Sequence, residues 1–364
     1  MAGYGKASVV NQLSRIRSTL DLRNSYKVSD NDADATGGNG LLDFLDEVRL
    51  ATGTNTVRLI NDLETVGEWT ESDSGTFDIA VNSSGKVGTN GQKFTATAQG
   101  DGSQNIETDY IYGGAQVPTA ARDGLTHRVG QLNWEDSDFV GFWVKADTAA
   151  DFGTAGDLTF QLKNNGTWGT AVNVPATSGT NTNWERIEID ITSFARDAVE
   201  KIRFNLTSGP AAAEDITIDE MIRYKFGNGY GPVFGRCQWF PIASGSTVTR
   251  GQIATVSDVG LASTAAAAAA QNLGPVVVGG TGGTDYDGCW VQVSGYSFFP
   301  AGTTLVEDSC LIWGSGHVLL ADAGTTSPDN RIIARMPDGT TVTEQSVVLI
   351  EWGNFINDDA GLAS

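Results

Sequence analysis

His127 and His317 are the only imidazoles in 364 residues. Neither stands in a spacing such as His-x-x-x-His, which would set two metal ligands on one face of a helix. Gly314-Ser315-Gly316-His317 puts a serine beside a histidine. It lacks the Gly-x-Ser-x-Gly spacing of a nucleophile elbow and reads as a loop. Gly279-Gly280-Thr281-Gly282-Gly283 has the glycines of a phosphate loop without the Lys-Ser/Thr that must follow, so it reads as a turn. Cys237, Cys289 and Cys310 are odd in number and form no C-x-x-C. They are expected to be small buried hydrophobes in a protein made in a reducing cytoplasm, not a disulfide frame or zinc site. Carboxylates are plentiful, but glycoside hydrolysis needs two of them roughly 5–10 Å apart across one bond. No pair is singled out, and the expectation is a protein that is not an enzyme.

The residue types left over are those of recognition. Binding a sugar takes exposed aromatic faces with polar side chains on one sheet. Trp69, Trp143, Trp168 and Trp184 are available. Trp143 and Trp184 alternate with apolar strand residues and read as core. Trp168, in Asn164-Asn165-Gly166-Thr167-Trp168-Gly169, sits near a turn and is expected as an exposed platform. Tyr110 and Tyr112 could flank such a site, and Asp109-Tyr110-Ile111-Tyr112 reads equally well as a strand edge.

The formal net charge is −21. Nucleic-acid binding rests on cationic contacts to phosphate, so this balance excludes it as a primary role. It also opposes anionic membranes, and no apolar stretch of 18 residues is present to insert into one. The acidity reads as solubility. One basic island stands against it: Lys6, Arg15, Arg17, Arg23 and Lys27, with only Asp21 opposing. The island is either a docking segment for an acidic partner or the polar face of an ordinary amphipathic helix. No secretory leader is read in residues 1–25, which suggests release by lysis and not by secretion.

Three kinds of element must position these residues. Residues 1–55 read as a helical arm, with Val9, Leu13, Ile16 and Leu20 at helical spacing and a second short helix over Leu41–Leu50. Residues 56–225 carry about eight short strands with apolar–polar alternation, separated by turns such as Asn164-Asn165-Gly166, and predict an antiparallel sandwich. Residues 226–232 are Gly- and Pro-punctuated and read as a linker. Residues 233–356 form a second β-rich unit, expected as a small barrel. A helix is expected over Ser263–Leu273, built on the alanines 265–270 and stopped by Gly274-Pro275. That helix lies across its own barrel or makes a subunit contact. Residues 357–364 are a polar tail. The fold class is mainly β: a short helical N-terminal arm, a jelly-roll sandwich, then the small barrel.

Two resemblances follow. Leu59-Ile60-Asn61-Asp62-Leu63-Glu64 with Trp69 downstream, then Trp184 to Ile191, Ile202 to Leu206 and Ile216 to Met221, resemble the galactose-binding-type jelly roll of carbohydrate-binding modules. That resemblance implies glycan binding. It also implies a structural Ca²⁺ where the first and last strands meet, with Asp62, Glu64 and Asp219 as oxygen ligands by position; solvated or salt-bridged carboxylates are the other reading. Arg250 to Asp258, the Ala-rich segment and Gly288-Cys289-Trp290-Val291-Gln292-Val293-Ser294-Gly295 are similar to the small β-barrels of tailed-phage head decoration proteins. The likeness implies a homotrimer on the major capsid protein, at the virion surface. The expectation is a non-catalytic capsid-decorating protein whose projecting jelly roll binds host-surface glycans. The alternative is a tail or baseplate adhesin or a carbohydrate-binding module.

Overall fold

The structure, a computed structural model, describes residues 49–65, 67–71, 77–82, 85–96, 104–112, 132–147, 154–176, 184–206, 214–257, 260–264, 272–283, 288–301, 305, 310–314, 318–321, 333–337 and 347–353. The candidate docking residues Lys6, Arg15, Arg17, Arg23 and Lys27, both histidines and the tail lie outside them.

The first unit's strands are β1 (Val57–Asn61), β2 (Thr70–Glu71), β3 (Phe77–Asn82), β4 (Gly91–Ala96), β5 (Gln104–Thr108) and β6 (Phe139–Ala146). They continue with β7 (Leu158–Asn164), β8 (Thr167–Trp168), β9 (Val172–Asn173), β10 (Glu185–Asp190), β11 (Val199–Leu206) and β12 (Glu214–Tyr224). One six-stranded sheet runs β10-β6-β12-β4-β3 with β1 also on β12; the other runs β2-β5-β11-β7-β8 with β9 also on β7. All pairings are antiparallel among the described residues. The two sheets form the sandwich that the sequence predicts.

The period of two explains the core. On β6, Val140, Phe142, Val144 and Ala146 turn inward; on β7, Leu158, Phe160 and Leu162; on β11, Ile202 and Phe204. Trp69 and Phe94 join them. The polar members of the same strands therefore point away from the core. They make two outer faces, one per sheet.

The second unit has β13 (Val233–Phe234), β14 (Cys237–Pro241), β15 (Thr247–Val248), β16 (Ile253–Val256), β17 (Ala262–Thr264), β18 (Asn272–Val278) and β19 (Gly280–Thr281). After these come β20 (Gly288–Gln292), β21 (Gly295–Pro300), β22 (Cys310–Gly314), β23 (Val318–Ala321), β24 (Ala334–Arg335) and β25 (Val347–Trp352). They pair as β13-β21-β25-β24-β22-β23, as β14-β20-β18-β16-β17, and as β15-β19. The helix expected over Ser263–Leu273 does not span those bounds. Ser263 and Thr264 belong to β17, and Asn272, Leu273, Gly274 and Pro275 to β18. The ladder with β16 uses these ends, so long-range pairing takes residues 263–264 and 272–273 out of the expected helix. The alanines themselves lie outside the described residues. Cys237 and Cys289 are free and buried, and burial pushes their thiols up to about 12 and about 11.

A helical turn over 49–52 enters the second unit. Leu50 packs with Phe226, Val233, Cys237 and Val277. Gly53, at φ 76°, ends the turn and donates its N–H to the Leu50 carbonyl at 3.3 Å.

The segment read as a linker is built into both units. Asn55 donates to the carbonyls of Phe226 (2.7 Å) and Val233 (2.9 Å) and accepts from the Phe226 amide at 3.1 Å. Asn228 is fully buried and donates to the Phe298 carbonyl at 2.8 Å. The Gly229 amide donates to Glu188 at 3.0 Å.

Around this segment the outer face of the β10-β6-β12 sheet is covered by the second unit. A bulge in β12 between Asp219 and Ile222 leaves Glu220 at φ 44° and re-aims its side chain. Glu220 accepts from Trp143 Nε1 at 3.2 Å and from Arg186 Nη1 at 3.1 Å. The Arg186 guanidinium lies 5.3 Å from the Trp143 ring and 4.9 Å from the ring of Phe298, on β21. Trp143 meets Phe298 edge-on at 5.4 Å. Trp143 is thus buried, as its pattern suggests, but against the second unit and not in the sandwich core. Beside it, Glu188 accepts from the Tyr224 hydroxyl at 2.7 Å and pairs with Arg250, whose guanidinium lies 3.9 Å from the Phe139 ring.

Candidate functional site

The second unit's contacts fall on one outer face, and the open face is that of the β2-β5-β11-β7-β8 sheet, where Asn173 is exposed, Asn105, Lys163, Trp168, Lys201, Arg203 and Asn205 are half-buried, and Thr159 and Gln161 are buried. Register assigns its side chains to rows. Glu107, Arg203 and Gln161 lie opposite one another across β5, β11 and β7. Asn105, Asn205, Thr159 and Asn173 form a second row through β9. Lys201, Lys163 and Trp168 form a third, through β8.

These side chains hold one another in place. The Arg203 guanidinium stacks 4.2 Å from the Trp168 ring and donates Nε to Gln161 at 2.7 Å. Gln161 in turn donates to the Gly169 carbonyl at 2.6 Å, tying the strand after Trp168 to β7. Asn205 donates to Asn105 at 2.5 Å. Lys201 pairs with Glu107 at 2.9 Å. An indole of fixed orientation, flanked by amides, a hydroxyl and charged groups in rows, suits a ligand with one apolar ring face and a rim of hydroxyls. A pyranose has that shape: its C–H face stacks on the indole and its hydroxyls meet the polar rows. The alternation in Leu158–Leu162 and Ile202–Leu206 announced that such a row would exist. It did not name Gln161, Lys163, Arg203 or Asn205 as site residues, because a solvated polar face has the same pattern.

Trp168, expected as an exposed platform, is half-buried on β8 at the edge of this face, with Arg203 against its ring. Tyr110 and Tyr112 are not beside it. They follow β5, with β11 and β7 intervening before β8. Tyr112 donates its N–H to the Ile60 carbonyl at 2.9 Å and its hydroxyl to Asp62 at 2.8 Å. The pair serves the join between β1 and β5, and the three rings form no common platform.

Asp62, Glu64 and Asp219 do not fit the cation that the jelly-roll resemblance implies. Asp219 is fully buried and accepts from the amides of Lys86 (2.6 Å), Val87 (2.8 Å) and Glu220 (2.7 Å). Glu64 accepts from the amides of Thr89 (2.8 Å) and Asn90 (3.0 Å). Asp62 accepts from the Glu64 amide at 3.2 Å and from Tyr112. The oxygens thus face N–H and O–H donors, which repel a cation. Among the described residues no three His, Cys, Asp or Glu side chains gather as a metal-holding group. The carboxylates seat the backbone of loop 85–90 instead. Gly88, at φ 75°, lets it pass so close that a Cβ there would collide with Glu64 Oε1.

Burial pushes the Asp219 carboxyl up to about 6; the amides of Val87, Lys86 and Glu220 oppose the shift and the Glu64 charge adds to it. Such a value suits a general acid, but this carboxyl is buried under the loop it binds. Its consequence is for stability. The folded chain holds this proton up to about pH 6 while the unfolded chain releases it near 3.8, so the stabilisation is present below 3.8 and is lost as pH rises through about 6. At about 1.4 kcal/mol per pH unit, the loss is about 3 kcal/mol. Asp136 and Asp215 are shifted downward, so their losses fall below this window. Urea midpoints from pH 4 to 8 are expected to show the fall in the parent chain and not in Asp219→Asn. Parallel curves would remove the assignment.

No protein-family model matches the sequence, and no curated protein matches it. Solved structures resemble it over slightly under half its length. The family 11 carbohydrate-binding module from Clostridium thermocellum, solved with a β-1,3-1,4-mixed-linked tetrasaccharide, is 18% identical with a TM-score of 0.31, covering 46% of this chain and 94% of that one. The CBM22-1 xylan-binding domain from Paenibacillus barcinonensis is 14% identical with a TM-score of 0.26, covering 47% and 92%. An arabinose-bound α-L-arabinofuranosidase is 15% identical with a TM-score of 0.33, covering 48% of this chain and 27% of that one.

Proposed function

We propose that the chain is a non-catalytic saccharide-binding protein that grips its ligand on the open face of the sandwich. The observation that carries this reading is the Trp168 ring, braced by Arg203 above rows of amides on the face that the second unit leaves free. Trp168 supplies the stacking surface. Asn105, Asn173 and Asn205 supply hydrogen bonds to hydroxyls, the buried Gln161 holds Arg203 in place, and the second unit holds the sandwich in one orientation.

A glycan array followed by calorimetry on the best ligand tests it. Trp168→Ala is expected to weaken binding at least ten-fold, about 1.4 kcal/mol, with little change in melting temperature because the ring is not in the core. An array without a ligand, or a Trp168→Ala variant that binds as the parent does, overturns the reading.

The setting we propose is the outside of a phage capsid. What supports it is the likeness of the Gly288–Gly295 strand and its neighbours to head decoration barrels, together with the interlocked units, which would present the open face outward from a lattice. Pelleting with undecorated capsids tests it: saturation at hundreds of copies supports decoration, and a protein left in the supernatant moves the module to a tail adhesin.

A further inference from the structure

We propose that the saccharide held on the open face is anionic, a polymer of uronic acids, selected by Lys163, Lys201 and Arg203. The inference rests on the saccharide reading above and adds the ligand's charge.

Lys201 on β11 stands directly opposite Lys163 on β7, and Lys163 stands opposite Trp168 on β8. Like charges directly opposite in an antiparallel pair destabilise the sheet. The chain has 44 acidic and 23 basic residues, so acidic partners are abundant in its composition. Yet these two ammonium groups share a row. Glu107 reaches Lys201 at 2.9 Å, and among the described residues Lys163 has no carboxylate partner. Arg203 occupies the neighbouring row, its guanidinium against Trp168 and its Nε on Gln161. Of the two opposed lysines, only Lys201 has a carboxylate partner among the described residues, Glu107. Asp197 and Glu200 stand at its end, where they accept from Asn164 at 2.9 Å and from the Gly166 amide at 3.1 Å.

A ligand carboxylate in this row would relieve the repulsion between Lys163 and Lys201 with charge-assisted hydrogen bonds. The sugar ring bearing it would lie on Trp168, in the same row as Lys163. The net charge of −21 does not forbid this. It is spread over the whole surface and screened beyond about 8 Å at physiological salt, whereas the lysines act in contact.

Calorimetry in 0.15 M salt with polygalacturonate, alginate and hyaluronate tests the proposal, each run beside the same polymer with its carboxyl groups esterified, with duplex DNA as a second polyanion. At least one uronate polymer is expected to bind ten-fold or more tightly than its ester and than DNA. Lys163→Gln with Lys201→Gln is expected to lose that margin, so that acid and ester bind alike. The variant loses two opposed like charges and also the partly exposed Lys201–Glu107 pair, two small opposing effects, so its melting temperature is expected to stay close to the parent's and is measured beside binding. Equal binding of acid and ester, both lost in Trp168→Ala, sinks the charge inference and leaves the saccharide reading in place. Binding of neutral glycans on the array, with no uronate polymer bound, has the same meaning. No saccharide binding at all removes both, and DNA bound as tightly as any uronate polymer reduces the face to a generic polyanion surface.

Discussion

Replacing Arg250 with alanine is expected to destabilise the chain by about 3–5 kcal/mol, because it leaves a buried carboxylate without its cation. The carboxylate is Glu188, whose side chain is 3% exposed. Its other partners are the Tyr224 hydroxyl at 2.7 Å and the Gly229 amide at 3.0 Å, neither of which carries charge. Arg250 is itself largely buried, and burial pulls its pKa down to about 10 against the pull of Asp138, so it stays charged at neutral pH. It also donates to the Gly227 carbonyl at 2.9 Å, so its loss loosens the segment between the units. The measurement is urea unfolding at pH 7 of the parent, Arg250→Ala, Arg250→Met, Glu188→Gln and the Glu188→Gln/Arg250→Met double variant. The double variant should recover most of the loss, since the Glu188→Gln amide accepts from Gly229 through its oxygen and donates through its nitrogen to the Tyr224 hydroxyl oxygen, and no buried charge remains. A cost under about 1 kcal/mol for Arg250→Ala would mean that Glu188 is solvated and the units are not locked through it.

The other large effect is in the sandwich core. Phe204→Ala is expected to cost about 3–5 kcal/mol. Phe204 stacks on Trp69 at 5.8 Å and meets Phe142 at 5.5 Å and Phe160 at 5.6 Å edge-on, so one truncation removes several ring contacts at once. An apolar void of about 10 Å³ already lies beside it, lined in part by Phe94, Phe142, Leu158 and Ile187. That volume is at the lower limit for one water molecule, and truncation enlarges it in a wall of large rings that cannot collapse to fill it. Phe204→Leu should cost markedly less. A shift of the unfolding midpoint for Phe204→Ala no larger than that for Phe204→Leu would show that the cluster repacks.

Both effects concern residues that look alike in sequence and differ in what they face. Phe204 sits at an inward position of an alternating strand and was legible as core. Arg250 was legible only as part of a strand motif, and Glu188 only as the polar member of Trp184–Ile191. Asp219 was singled out as a cation ligand by its place near the chain's first strand, but its oxygens meet the amides of Lys86, Val87 and Glu220. At the ends of the alanine-rich segment the local signal gave the wrong bounds. A strong local helix preference predicted one helix over Ser263–Leu273, and both ends of that stretch pair as strands with β16.

What the sequence determined by itself was the period-two alternation, hence strands, hence a sandwich with Phe142, Phe160 and Phe204 inside and a polar face on each sheet. That information is local, because the direction of each side chain is set by its own backbone. The choice between the two polar faces was made only in the tertiary structure. Phe298 and Arg250, distant in the chain, cover the face bearing Trp143, Arg186 and Glu188, while the face bearing Trp168, Lys163, Lys201 and Arg203 stays open. Alternation is the same on both faces, and burial by a second unit depends on contacts that no short stretch of sequence contains.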